Sequence, residues 1–174
     1  MTTIAILNPG AMGVTIGAAA KAGGSTVLWA SQGRSEATRA RAEAAGLAER
    51  DTLAAVVAES DVVLSVCPPH AAVDLAHEVA ALGFAGLYVD GNAVAPASAL
   101  EIGHRVEVAG ARFVDGGIIG LPARHAGSTR LYLSGDSAPE AAALFQGSVL
   151  AAVVCGDRPG AASASVRPRV TTSS

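Results

Sequence analysis

A short apolar run, Ile4-Ala5-Ile6-Leu7, halted by Asn8-Pro9-Gly10, restricts the fold of this chain more than any other feature. It reads as a buried first strand with a tight turn directly after it. Residues 11 to 22 then set Met12, Ile16 and Ala19 or Ala20 at helical spacing, and Gly23-Gly24 closes that helix. The alternation continues. Thr26-Val27-Leu28-Trp29 reads as a second strand, Ser35 to Ala45 as a helix ended by Gly46, and 51–59 as a short helix. Asp61-Val62-Val63-Leu64-Ser65-Val66 reads as a buried strand and His70 to Leu82 as a helix ended by Gly83. Leu87-Tyr88-Val89-Asp90 and Arg112-Phe113-Val114-Asp115 are two further strands, each ending in Asp before Gly, with a helix over 97–105 between them. The run from Thr129 to Gly135 and Leu150-Ala151-Ala152-Val153-Val154 add two strands around an Ala-rich helix at 138–146. Strands alternating with helices predict the α/β class, with a doubly wound, mostly parallel sheet. From Asp157 onward local propensity specifies neither helix nor strand.

Composition narrows the function classes. Half the residues are apolar and only 3% are aromatic, which suits close-packed helix-on-sheet layers. Net charge is −3 and the basic residues form no stripe, so no nucleic-acid partner is expected. No apolar run reaches the roughly 18 residues of a membrane span, and Met1-Thr2-Thr3 leads into a strand without a charged leader. A cytoplasmic protein is expected. Cys67 and Cys155 stand far apart with no metal-ligand spacing around them, so free buried thiols are predicted rather than a disulfide or zinc site.

The turn after the first strand is where a dinucleotide-binding (Rossmann) fingerprint GxGxxG belongs, and it holds Asn8-Pro9-Gly10-Ala11-Met12-Gly13. Gly10 lets backbone approach a pyrophosphate, Gly13 lets helix pack close to strand, and the helix N-terminus offers unpaired N–H groups to phosphate. Asn8 replaces the first glycine and is the residue type that best tolerates positive φ. At the end of the second strand, where an NAD enzyme carries Asp or Glu, the sequence reads Ser31-Gln32-Gly33-Arg34-Ser35. Arg34 can fork two hydrogen bonds onto a 2′-phosphate, with Ser31 and Ser35 supplying hydroxyls, so NADP(H) is the expected cofactor. The alternative for Arg34 is a solvated charge near a helix start.

With Leu7 to Gly13 and the stretches at 90–96 and 113–135 in view, the chain resembles the β-hydroxyacid dehydrogenase superfamily of 3-hydroxyisobutyrate and 6-phosphogluconate dehydrogenases. The family turn G-x-G-x-M-G is matched at Gly10, Met12 and Gly13, and the resemblance covers about residues 3 to 164. It implies that Cys67, Pro68 and Pro69 lie over the cofactor, with His70 a helix cap or exposed. It further implies that Asn92, in Asp90-Gly91-Asn92-Ala93-Val94-Ala95-Pro96, is a polar contact near the nicotinamide, against the alternative of a simple turn. The family substrate segment D-A-P-V-S-G-G is matched by Asp115-Gly116-Gly117-Ile118-Ile119-Gly120-Leu121, with Ile119 where the substrate-binding Ser stands. Asp115, Gly116, Gly117, Ile119 and Gly120 are therefore the implied substrate residues, and Asp90 and Asp115 either face a ligand or cap loops.

The resemblance also implies a helix bearing a catalytic Lys, followed by a helical substrate domain. Pro159-Gly160-Ala161-Ala162-Ser163-Ala164 is similar to the start of that helix, but Ser165-Val166-Arg167-Pro168 has no Lys and Pro168 forbids continuation. The only Lys in the chain is Lys21, on the first helix. The expected organisation is an NADP-binding domain over 1–158 and an aborted helix with a disordered tail over 159–174. A frameshift or early stop accounts for such a change, and a stand-alone module is the rival explanation. Hydride transfer between NADPH and a hydroxy-acid or carbonyl-type small molecule is then expected to be impaired, with a non-catalytic NADP-binding sensor or partner-binding module as the alternative. In either case an apolar face is left for self-association.

Overall fold

The computed structural model describes residues 1–166; of the aborted helix and tail expected over 159–174, residues 167–174 lie outside the described residues. Eight strands form one sheet in the order β3-β2-β1-β4-β5-β6-β7-β8. All neighbours are parallel except β6 and β7. β1 (Thr3–Leu7) leads into α1 (Ala11–Ala22), β2 (Thr26–Ala30) into α2 (Glu36–Ala44), and β3 (Ala48–Arg50) into α3 (Leu53–Glu59). β4 (Val62–Ser65) continues through a 3-10 turn at Pro69–Ala71 into α4 (Ala72–Ala81), and β5 (Leu87–Asp90) precedes α5 (Pro96–Val108). β6 (Arg112–Gly120), β7 (Thr129–Ser134), α6 (Ala138–Ala143), β8 (Ala151–Gly156) and α7 (Ala161–Val166) complete the domain. It is an α/β fold of Rossmann type. No helix among the described residues is long and apolar enough to cross a membrane.

The sheet is covered on both faces, and side-chain alternation distributes each strand between two cores. Ile4 and Ile6 of β1 join one core with Ile16 of α1 and Phe145, and Ala5 and Leu7 join the other with Val56 of α3, Val79 of α4 and Ile102 of α5. Helices therefore pack on each side of β1, and the strand order reverses between β1 and β4. Ligands of open α/β sheets bind in the crevice at such a switch point, beyond the carboxyl ends of the strands.

Three features differ from the local reading. β3 was not expected: three residues, two of them charged, carry no strand pattern, yet they pair with Leu28–Ala30 of β2 and form a short charged edge. β6 runs five residues past Asp115, because Asp115 through Gly120 pair antiparallel with Ser134 through Thr129. The Asp-Gly signal suggested a stop, but the glycines permit close approach: a Cβ on Gly116 would lie 2.7 Å from the Asp90 carbonyl oxygen, and one on Gly117 2.6 Å from Val166. Finally, 161–166 is helical, as the resemblance anticipated and propensity did not. Asp115 Oδ2 accepts from the Gly160 and Ser163 amides, both at 2.9 Å, Oδ1 accepts from the Ser163 hydroxyl, and Ser134 Oγ accepts from the Ala162 amide at 2.9 Å. Both thiols are free, but only Cys67 is partly buried; Cys155 is exposed, because β8 is an edge strand.

Candidate cofactor-binding site

The turn between β1 and α1 is tight and closely packed. Asn8 stands in the left-handed region at φ 59°, and its carbonyl oxygen accepts the Gly10 amide at 2.7 Å. A Cβ on Gly13 would lie 2.9 Å from that same carbonyl, so only glycine fits there. Gly10 faces open space, since the nearest atom to a Cβ on it is 4.0 Å away. No side chain caps α1 and no acidic residue occupies its first turn, so its first amides and its positive dipole end are directed at the crevice.

Two grooves flank this turn. The larger, about 470 Å³, is walled by Gly10, Ala11, Met12 and Gly13 on one side, by Cys67, Pro68 and Pro69 on another, and by Asn92 at its base. The second, about 450 Å³, lies against Leu7, Leu53 and Leu75. Asn8 and Arg34 belong to both grooves and join them into one cleft. Arg34 is exposed and its guanidinium has no hydrogen-bond or ion-pair partner among the described residues, unlike Arg39, Arg50 and Arg112, which pair with Glu49, Glu59 and Glu140. Asn8 Oδ1 is buried and without a partner among the described residues.

Other expected residues have different surroundings. Ser31 is buried and donates its hydroxyl to the Arg50 carbonyl at 3.3 Å, while Ser35 Oγ caps α2 by accepting from the Thr38 amide at 3.2 Å. Thr38, one turn beyond Arg34 on α2, reaches the larger groove instead. Arg41 Nη1 lies 3.5 Å from both the Pro9 carbonyl and Thr38 Oγ1, bringing a second cation to the turn between β1 and α1. Neither residue was singled out in the sequence; the i+4 spacing from Arg34 was the available signal for Thr38.

In the segment matched to the family substrate loop, Asp115 is fully buried and engaged by α7 and Ser134, and Gly116 and Gly117 lie within the β6 ladder. Ile118 reaches the groove, whereas Ile119, on the opposite face by strand alternation, is exposed. Gly120 adopts φ 121° at the end of β6. Pro69 and His70 form the 3-10 turn entering α4. Beneath the loops after β4 and β5, burial above all, with Asp115 nearby, pushes the Asp90 carboxyl up to about 7 against the stabilising Asn92 amide. Burial likewise raises the Cys67 thiol and, far more, the Tyr88 phenol.

The NAD binding domain of 6-phosphogluconate dehydrogenase matches residues 3–154. This chain belongs to that family. Three solved structures share the fold over nearly the whole chain. The conserved protein MTH1747, whose structure is described as similar to 3-hydroxyacid dehydrogenases, is 27% identical with a TM-score of 0.80, over 93% of this chain and 60% of that one. Mycobacterium tuberculosis 3-hydroxyisobutyrate dehydrogenase is 23% identical with a TM-score of 0.76, over 95% and 57%. The reductive aminase of Aspergillus terreus, in complex with NADPH4, cyclohexanone and allyl amine, is 22% identical with a TM-score of 0.75, over 94% and 58%. The chain thus spans about 60% of these relatives' length. No match was found among curated proteins.

Proposed function

We propose that this domain binds NADP(H) along the joined grooves and belongs to an oxidoreductase that exchanges hydride with a small carbonyl, hydroxy-acid or imine-type substrate. The observation that carries the reading is the cleft itself: an uncapped helix N-terminus at the switch point, beside Arg34, which has no side-chain partner among the described residues and stands where the sequence places no carboxylate. The residues fit a dinucleotide. Amides at the start of α1 hold the pyrophosphate, and Arg34 with Thr38 holds the 2′-phosphate. Cys67, Pro68, Pro69 and Asn92 wall the end of the cleft suited to the nicotinamide, which supplies or accepts hydride when bound.

A second reading, binding with little or no turnover by this chain alone, is supported by the position of its single Lys. Lys21 lies in the last turn of α1 and donates to the Gly46 carbonyl at 3.0 Å, at the opposite end of the helix from the cleft. No amine among the described residues is available there to exchange the substrate's proton. Exposed Ile119 and Leu121 together with Val153 and Val154 of the β8 edge support self-association.

The test is fluorescence titration with NADPH and NADH. The native chain binds NADPH more tightly; Arg34→Ala weakens NADPH binding about tenfold or more and leaves NADH unchanged. Equal affinities in the native chain, or equal losses for both cofactors in the variant, refute the 2′-phosphate assignment.

A further inference from the structure

The loops that follow β4 and β5 form one wall of the larger groove, and they are tied together from below. Ser65 and Asp90 end the two strands in register with each other, and the Gly91 amide donates to the Ser65 carbonyl at 2.8 Å. Asn92, almost fully buried, then reaches back across the junction. Its Oδ1 accepts from the Cys67 amide at 2.7 Å and its Nδ2 donates to the buried Ser65 hydroxyl at 3.0 Å. Its own amide donates to Asp90 Oδ1 at 2.7 Å, which fixes the backbone from which the carboxamide projects.

The sequence of the wall makes that contact decisive. Pro68 and Pro69 have no amide hydrogen, so the Cys67 N–H is the only backbone donor in this three-residue stretch. It is given to Asn92. Without an acceptor there, a partly buried donor is left unpaired, and the wall keeps only the longer 3.8 Å contact between Cys67 Sγ and Ser65 Oγ as a polar side-chain tie to β4.

We propose that Asn92 is a positioning residue that, held by Asp90, latches Cys67, Pro68 and Pro69 into the place where they wall the cofactor groove. The inference rests on the cofactor reading above for its binding readout, but the latch itself is visible without ligand. It differs from a direct nicotinamide contact in that fully buried Ser65, which does not line the groove, is part of the device.

Amide hydrogen exchange of the ligand-free protein reads the latch directly. In Asn92→Ala, exchange at Cys67 accelerates about tenfold or more while the amides of β1 and β4 keep native protection. Ser65→Ala, which keeps the Oδ1 bond but frees the carboxamide, gives a smaller acceleration in the same direction. In both variants affinity for NADPH falls, whereas adenosine 2′,5′-bisphosphate, which occupies only the Arg34 end, binds as to the native chain. Unchanged exchange at Cys67 in Asn92→Ala overturns the latch, and NADPH binding lost with unchanged exchange makes Asn92 a direct contact instead. If Asn92→Ala loses protection throughout, Ser65→Ala decides by the same criterion. If the native chain binds neither nucleotide, the cofactor reading fails while exchange at Cys67 still decides the latch.

Discussion

Replacing Asp90 with Asn should change how the stability of this domain depends on pH. Asp90 is fully buried, its Oδ1 accepts the Asn92 amide, and its Oδ2 has no partner among the described residues. Burial raises its carboxyl from 3.8 to about 7. Because the folded value is the higher one, the folded chain holds the proton over a range where the unfolded chain has released it. Its contribution is therefore fully present below about pH 4 and is lost as pH rises through about 7. At about 1.4 kcal/mol per pH unit, the loss is roughly 3 kcal/mol between pH 5 and pH 8, and most of it falls below pH 7. Asn in its place stays neutral, and its carbonyl accepts the same amide. Urea unfolding of native and Asp90→Asn chains at pH 5, 6, 7 and 8 measures the difference, in which contributions common to both cancel. The variant gains on the native chain by roughly 3 kcal/mol across that range. A difference that does not change with pH refutes a raised Asp90.

Other perturbations follow from close contacts. Gly13→Ala drives a Cβ to 2.9 Å from the Asn8 carbonyl oxygen and forces α1 away from β1; a loss of about 1–3 kcal/mol in chemical unfolding and abolished NADPH binding are expected. Asp115→Ala removes the acceptor for the Gly160 and Ser163 amides and should release α7; limited proteolysis near residue 160 accelerates and stability falls by about 3 kcal/mol. Arg34→Ala should separate NADPH from NADH, as described above.

Much of this protein was legible because it is set by neighbours in the chain. Strand and helix periods, the glycine that ends each of the first two helices, and the crowding that demands Gly13 are local or nearly so, and the α/β alternation follows from them. The tight turn at Asn8 to Gly13 could be read for the same reason, because β1, the turn and α1 are contiguous. Tertiary structure decided the rest. Three unremarkable residues became β3 only by adding to β2, and β6 passed its Asp-Gly signal only because β7 lay antiparallel beside it. It also set Ile118 rather than Ile119 in the groove and committed Ser31 to Arg50. Asp115 became the anchor of α7, and Asp90 a buried acid beside it, although both occupy the same Asp-Gly context in sequence. Hydrogen-bond partners and desolvation belong to atoms brought together from distant parts of the chain, and local sequence carries no record of which atoms those will be.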